Sequence, residues 1–244
     1  MKFHFRHQNT TTVLLLLCIG LSSICSCTEK PDDEVKLPDN LNKKIEFADR
    51  LMEEACIRLY DENQDGELSY AEAGLVKDLT LMKDVINPKI TSFDEFKYFT
   101  NVKEISQETF SGTSLSKITL PNNLIAIRKS AFKGCKLTTI SIPENVVTIE
   151  AEAFRDCAEL TSVSLPKNVK SLLGTFRGCS NLETIELPES VTELKGTFRD
   201  CSNLKTIVLP ENVSVIGSYT FYECSNLKSI TLPESVTSGK ALCA

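Results

Sequence analysis

Apolar residues recur along the C-terminal half of the chain with a fixed long period. Prolines mark this period at positions 121, 143, 166, 188, 210 and 233, so each unit is 22 or 23 residues long. A unit opens with a short alternating apolar segment, such as residues 182–188, and continues with an apolar pair such as Val191 and Leu194. One such unit cannot bury its apolar face alone, so the period predicts a solenoid of stacked coils.

Each unit also carries a phenylalanine and a cysteine after its apolar pair. The phenylalanines lie at positions 132, 154, 176, 198 and 221, and the cysteines at 135, 157, 179, 201 and 224. The phenylalanines are predicted to form the core. For the cysteines, buried free thiols are favoured over disulfides or a metal site, because side chains in a parallel ladder point the same way and five is an odd number.

The repeated unit, L-x-x-I-x-L-P-x-x-V-x-x-I-x-x-x-A-F-x-x-C, resembles the BspA-type leucine-rich repeat of bacterial surface proteins over residues 115–244. The resemblance implies a solenoid of mostly short parallel strands and, as in several members, adhesion to host matrix proteins or to other cells. Residues 85–114 resemble a cap and a shortened first coil. The last unit lacks its phenylalanine. Either the chain is shortened there or the open edge of that coil meets a partner.

Alternation along the strand of each unit predicts one exposed face. Its side chains are small, rich in hydroxyls and without aromatic rings, so they suit a protein partner better than a sugar, although inert filler on a solvated sheet is the simpler interpretation. This strip comprises Lys117, Thr119, Thr139, Ser141, Ser162, Ser164, Thr184, Glu186, Thr206, Val208, Ser229 and Thr231.

A different period precedes the repeats, within the segment 43–84. Apolar residues from Ile45 to Leu59 follow a helical stripe, which predicts a helix capped near Asn40 or Asn42. The next twelve residues, 61–72, place oxygen donors at alternate positions and a glycine, Gly66, at the sixth. A second helix is predicted from Ala71 to about Met82.

This helix–loop–helix pattern resembles an EF-hand. The resemblance implies a calcium site, with Glu67 acting through its backbone carbonyl and Ser69 acting directly or through water. The predicted ligands are Asp61, Asn63, Asp65, Glu67, Ser69 and Glu72. Only one such loop is found, so the site is interpreted as structural. The predicted fold class is therefore a leucine-rich-repeat solenoid preceded by a small helical EF-hand-like segment.

The first 26 residues have the features of a bacterial export signal. A basic start with Lys2 and Arg6 is followed by an apolar run too short to span a membrane, and Ile24 and Ser26 precede Cys27 as in a lipobox. Cys27 is the predicted lipidation site, with an ordinary secretory peptide as the alternative. Residues 27–42 are then an acidic tether or a surface-export signal. We expect a lipid-anchored protein of the bacterial outer membrane, exposed on the cell surface.

Charge and composition narrow the functional classes further. The formal net charge of −6 becomes −8 when Lys2 and Arg6 leave with the signal peptide, which argues against a nucleic-acid partner. Both histidines, His4 and His7, lie in the same segment, so the mature chain has no Ser-His-Asp or Cys-His pair. We expect a non-enzymatic adhesion or protein-binding module, with an envelope scaffold that docks another bacterial protein as the alternative.

Overall fold

A solenoid preceded by short helices forms the part of the chain that the computed structural model describes, residues 37–239. The helices are α1 (Arg50–Tyr60), α2 (Tyr70–Leu75) and α3 (Met82–Val85), followed by a 3-10 helix over Asp94–Tyr98. The strands are β1 (Ser92–Phe93), β2 (Glu104–Ile105), β3 (Lys117–Ile118), β4 (Ala126–Ile127), β5 (Thr139–Ser141), β6 (Thr148–Ile149), β7 (Ser162–Ser164), β8 (Ser171–Leu173), β9 (Thr184–Glu186), β10 (Glu193–Lys195), β11 (Thr206–Val208), β12 (Val215–Ile216) and β13 (Ser238–Gly239).

The strands pair only in parallel, and each pairs with the equivalent strand of a neighbouring coil. One set forms the pairs β1–β3, β5–β7 and β9–β11, and the other forms the sheets β2-β4-β6 and β13-β12-β10-β8. The register matches equal repeat positions, so that Leu194 lies opposite both Leu172 and Ile216. This architecture confirms the predicted fold class, a parallel-strand solenoid with a few helices at its N-terminal end.

A column of phenylalanine rings runs through the core of the solenoid. It joins Phe110, Phe132, Phe154, Phe176, Phe198 and Phe221, and neighbouring rings have centroids 5.2–6.0 Å apart and interplanar angles of 3–15°. Each ring is at most 2% exposed. Because burial of one phenylalanine contributes roughly 1.5–3 kcal/mol, this column is a main source of the solenoid's stability.

The turn around each of these phenylalanines has two residues with positive φ, at two positions before and two positions after the ring. The earlier position is held by Glu108, Ser130, Glu152, Gly174, Gly196 and Tyr219, with φ between 54° and 62°. The later position is held by Gly112, Gly134, Asp156, Gly178, Asp200 and Glu223. Left-handed backbone favours glycine, so the non-glycine residues here carry local strain.

The N-terminal helices are shorter than the sequence pattern predicted. Helix α1 begins at Arg50, and its N-cap is Asp49, whose carboxylate accepts from the backbone of Leu51 and Met52. The prediction of a cap near Asn40 or Asn42 was therefore wrong. The reason is that the backbone of the preceding segment pairs with the loop, through the N–H of Ile45 and the carbonyl of Leu68 at 2.8 Å.

The predicted second helix is also interrupted. Helix α2 ends at Leu75, Val76 is extended at φ −63° and ψ 126°, and a new turn, α3, begins at Met82. Asn101 donates its side-chain amide to the carbonyl of Gly74, which occupies an acceptor that a longer helix would use. Val76 and Leu79, on either side of the break, are both buried.

No helix in residues 37–239 is long and apolar enough to cross a membrane.

Candidate functional site

The loop between α1 and α2 folds around its own acidic and amide side chains. Asp61 accepts from the backbone N–H groups of Gln64 at 2.7 Å and Gly66 at 2.9 Å. Asn63 accepts from Asp65, and Asp65 accepts from Glu67, both at 2.9 Å. Gly66 has φ +82°, so a side chain at this position would be strained. The loop thus closes on its own side-chain oxygens, with Gly66 at its turn.

Glu72 reaches from α2 back across this loop. Its Oε1 accepts from the backbone of Glu62 at 3.2 Å and of Asn63 at 3.4 Å. Its Oε2 accepts from the backbone N–H of Ser69 at 2.9 Å and from its hydroxyl at 2.7 Å, so Ser69 and Glu72 form the capping box of α2. Residue Glu72 is only 7% exposed, and its carboxylate connects both ends of the loop.

The donor set fits a hard cation in its chemistry. Asp61, Asp65 and Glu72 supply carboxylate oxygens. Asp61 accepts two hydrogen bonds and Asp65 one, so both keep free lone pairs, whereas Glu72 accepts four and would have to exchange some of them for the ion. In residues 37–239, no group of three histidine, cysteine, aspartate or glutamate side chains is arranged to hold a metal ion. Ion binding therefore needs the oxygens of Asn63, Glu67 and Ser69 as well, as calcium loops do.

A segment before α1 pairs with this loop. Ile45 donates to the carbonyl of Leu68, Tyr70 donates to the carbonyl of Lys43 at 3.2 Å, and Lys44 and Ser69 form an antiparallel bridge. Ile45 and Leu68 are both buried. The sequence pattern does not predict this pairing, because Ile45 fits the apolar stripe of the first helix. This backbone pairing holds the C-terminal end of the loop in place. The described residues contain no second loop of this kind that could pair with it instead.

Lys44 also links the segment to the acidic surface around the loop. Its Nζ lies 3.1 Å from Glu53 Oε1 and 3.9 Å from Glu67 Oε1. The hydrogen bond and charge of Glu53, followed by the charge of Glu67, raise the pKa of Lys44. A fixed positive charge therefore lies beside the loop and partly balances its carboxylates.

The predicted contact strip lies on the strand set that contains β3, β5, β7, β9 and β11. All twelve of its side chains are exposed, and the residues between them, such as Ile140 and Ile185, point into the core. Val208, at 82% exposed, is a large apolar side chain on this face. The structure thus places these residues together on one face.

The two ends of the strip differ from its middle. At the N-terminal end Lys117 and Thr119 both contact Asp94, Lys117 as an ion pair and Thr119 through a 2.8 Å hydrogen bond. At the C-terminal end Ser229 and Thr231 are exposed but belong to no strand. Their segment separates from β11 and leaves a cavity of about 420 Å³ between Val208 and Leu232.

The cysteine ladder offers no reactive group in the described part of the chain. Cys135, Cys157, Cys179 and Cys201 are buried free thiols, and each donates at 3.0–3.2 Å to the carbonyl of a core phenylalanine in the preceding coil. Burial raises the pKa of Cys135 to about 11, and it raises the pKa values of the other three further. Protonated thiols are poor nucleophiles and poor metal ligands, so this ladder is structural.

Comparison with known proteins agrees with this geometry. The family model for the BspA type Leucine rich repeat region matches in six copies, over residues 89–196 and 173–243, which together are more than half of the chain. The chain belongs to the BspA-type leucine-rich-repeat family. Solenoids of this kind are typically non-enzymatic scaffolds, and leucine-rich-repeat proteins generally mediate interactions between proteins.

Solved structures of leucine-rich-repeat proteins resemble this family member in fold. One from Bacteroides ovatus is 37% identical with a TM-score of 0.54, and one from Eubacterium ventriosum is 31% identical with a TM-score of 0.53. The matches cover 57% of this chain but only 37% and 38% of those two proteins. A Treponema pallidum leucine-rich-repeat protein is 32% identical with a TM-score of 0.50, and the match covers 57% of this chain and 71% of that one. No curated protein matches the chain.

The predicted lipidation site, Cys27, lies outside the described residues, as do the export signal and most of the tether.

Proposed function

We propose that this protein is a lipid-anchored binding protein of the bacterial outer membrane, whose solenoid recognises a protein on the host matrix or on another cell. The observation that carries the proposal is the strand face. Its small polar side chains are exposed, whereas the repeat thiols and phenylalanine rings are buried. A surface that is accessible over several coils and lacks reactive groups suits binding better than catalysis.

The anchor is assigned to Cys27 from the residues before it. Ile24 and Ser26 suit a lipobox, and the apolar run before them suits an export signal. Several acyl chains on one cysteine would hold the protein at the membrane much more firmly than one chain. The acidic residues 27–42 would then act as a solvated tether that holds the solenoid away from the membrane.

Calcium is proposed as the resident ion of the loop. Side-chain oxygens of Asp61, Asn63, Asp65 and Glu72, with the Glu67 carbonyl and Ser69, would hold it. The bound ion would supply positive charge among three carboxylates. In this family member the loop is paired to the segment before α1, and α1 packs on the first coil, so the ion would stiffen the N-terminal end of the solenoid.

Protease shaving of intact cells tests the surface assignment. Digestion of the repeat domain on intact cells, detected by immunoblotting, is the expected result, with a periplasmic protein as the control that stays intact. Full protection until lysis would contradict surface display. The anchor is tested by detergent phase partitioning. Replacement of Cys27 by Ser should move the protein from the detergent phase to the aqueous phase, and an unchanged distribution would contradict the anchor.

The second candidate function is an envelope scaffold, and the C-terminal coils favour it. Strand β11 pairs with β9 on one edge, and in the described residues its other edge has no strand partner. An unpaired edge is a template for another strand. Cleavage only after lysis, together with crosslinking to an envelope protein through Val208 or Leu232, would favour this function.

A further inference from the structure

The last coils carry an arginine held against two tyrosine rings. The guanidinium carbon of Arg199 lies 5.1 Å from the ring centroids of both Tyr219 and Tyr222. The two rings meet edge to face, with centroids 5.7 Å apart and an interplanar angle of 82°. Tyr219 is 53% exposed. The cluster lies at the turns beside the phenylalanine column, and none of its members belongs to the strand-face strip.

Tyr219 places a large aromatic side chain at a turn position with left-handed backbone. Tyr219 has φ +61°, and the two preceding coils place Gly174 and Gly196 at the same turn position. A bulky residue with left-handed backbone is strained, and glycine is not. Glu108, Ser130 and Glu152 have the same left-handed backbone in other coils, so Tyr219 differs from them in presenting a large, half-exposed ring at this position.

The charge at the cluster favours an acidic ligand. Arg177 and Arg199 share one carboxylate, Asp200, at distances of 3.4 and 3.5 Å from their Nε atoms. Within residues 37–239 the Nε of Arg199 is buried beside Asp200 without a hydrogen bond, while the side chain as a whole is 31% exposed. The tyrosines therefore orient a guanidinium whose two Nη atoms make no hydrogen bond among the described residues, and a pair of such atoms can recognise a carboxylate through two hydrogen bonds.

We propose that Arg199, Tyr219 and Tyr222 form the anchoring site of the solenoid for its protein partner, and that they bind an aspartate or glutamate in an exposed segment of that partner. This inference rests on the proposed binding of a protein. Tyrosine and arginine are the residue types that carry most of the energy at protein interfaces, and here they are clustered. The strand face would then provide additional contacts around this anchor.

Selection of peptides from a random phage-displayed library on the immobilised full-length protein tests the site. The selected peptides should be enriched in Asp and Glu. Their binding should fall at least tenfold in Arg199→Gln and in Tyr219→Gly, and should be retained in Tyr219→Phe, which keeps the ring. Glu223→Gln should bind more tightly, because it removes an exposed carboxylate from the following coil.

Thermal unfolding separates a binding defect from a folding defect. Tyr219→Gly should melt at the same or a higher temperature than the wild type while its binding is lost. Glu108→Gly is the matched control, since Glu108 occupies the same turn position with φ +60° far from the cluster. It should bind as the wild type does.

The outcomes that would overturn the proposal are distinct. Acidic peptides that bind every variant equally would leave protein binding intact and place the anchor elsewhere. A second outcome is that no peptide is selected and that methyl glucuronide alone shifts the NMR resonances of the tyrosines. The site would then recognise an acidic sugar, and the proposal of a protein partner would fail as well.

Discussion

Thr91 donates both its backbone N–H and its hydroxyl to Oδ2 of Asp49, at 2.6 and 2.8 Å. The other oxygen of the same carboxylate caps α1 through Leu51 and Met52. One side chain therefore joins the helical segment to the first coil of the solenoid. Glu95 adds a second link, since its Oε1 accepts from the backbone of Ala48 at 3.0 Å.

Replacement of Asp49 by Ala should lower the free energy of unfolding by about 1–2 kcal/mol, because an N-cap is lost and the donors of Thr91 lose their acceptor. Burial acts to raise the pKa of Asp49, but the hydrogen bonds from Thr91, Met52 and Leu51 outweigh it and lower that pKa. A depressed pKa stabilises the fold above the unfolded value of about 3.9, and this stability is lost as the pH falls through the folded value.

Urea denaturation between pH 2.5 and 6 measures both effects. The Asp49→Ala variant should lose less stability than the wild type as the pH falls. Asp39→Ala, at an exposed position, is the control and should follow the wild type. A variant as stable as the wild type at pH 6 would show that Asp49 does not join the two segments.

Replacement of Glu72 by Gln should abolish the rise in melting temperature that calcium is expected to cause. The substitution removes one carboxylate and the bidentate ligand expected at the twelfth loop position. Differential scanning calorimetry with calcium or with a chelator measures the rise. Glu62→Gln, an exposed position outside the predicted ligand set, should keep the rise. An undiminished rise in Glu72→Gln would contradict the calcium assignment.

The repeat period predicted the solenoid because each landmark residue serves the same purpose in every coil. Phe132 and Phe154, 22 residues apart, stack at 5.2 Å, and the proline period sets where each coil turns. The helix limits were not predictable in the same way. Ile45 belongs to a helical stripe, yet its backbone N–H donates to the carbonyl of Leu68. A local sequence pattern does not indicate a hydrogen bond between residues so far apart in the chain.

The candidate sites differ in how far sequence could reveal them. The loop from Asp61 to Glu72 is contiguous, so spacing alone indicates which oxygens lie together. The strip was predictable because alternation in a strand fixes which side chains are exposed. The cluster of Arg199 with Tyr219 was missed because it depends on the stacking of two coils and on a positive φ, neither of which spacing indicates.

The buried thiols should make the solenoid sensitive to alkaline pH. Burial raises the pKa of Cys157 and of its neighbours, whereas unfolded thiols ionise near about 8.5. The pKa of the thiol is higher in the folded protein than in the unfolded chain. Its contribution to stability is therefore complete below the pKa of the unfolded thiol and is lost as the pH rises above that value. Each such thiol should add up to about 1.4 kcal/mol per pH unit to the fall in the free energy of unfolding.

The chain supplies its own control for this effect. Thr113 occupies the cysteine position of the first coil and donates its hydroxyl to the carbonyl of Phe110 at 2.8 Å. By analogy, Cys157→Thr should remove the thiol and donate its hydroxyl to the carbonyl of Phe154, in place of the bond from the thiol to Phe132. Chemical denaturation between pH 8 and 10.5 should show a shallower loss of stability in this variant. An identical slope would mean that Cys157 ionises in the folded protein as it does in the unfolded chain.

The position of a phenylalanine within the column should determine the cost of its removal. Phe154 stacks between Phe132 and Phe176, whereas in the described residues Phe221 stacks only on Phe198. Phe154→Ala would leave a cavity between two coils and should cost about 3–5 kcal/mol, as large core truncations do. It would also interrupt the coupling between neighbouring repeats on which solenoid stability depends.

Phe221→Ala should cost less and act locally, because within residues 37–239 only Phe198 stacks on that ring. Urea denaturation gives the two free energies, and hydrogen exchange shows where protection is lost. Phe154→Ala should lower protection in coils on both sides of the substitution, and Phe221→Ala only in the last coils. Equal costs and equal patterns of exchange would mean that the column contributes ring by ring, without coupling between the coils.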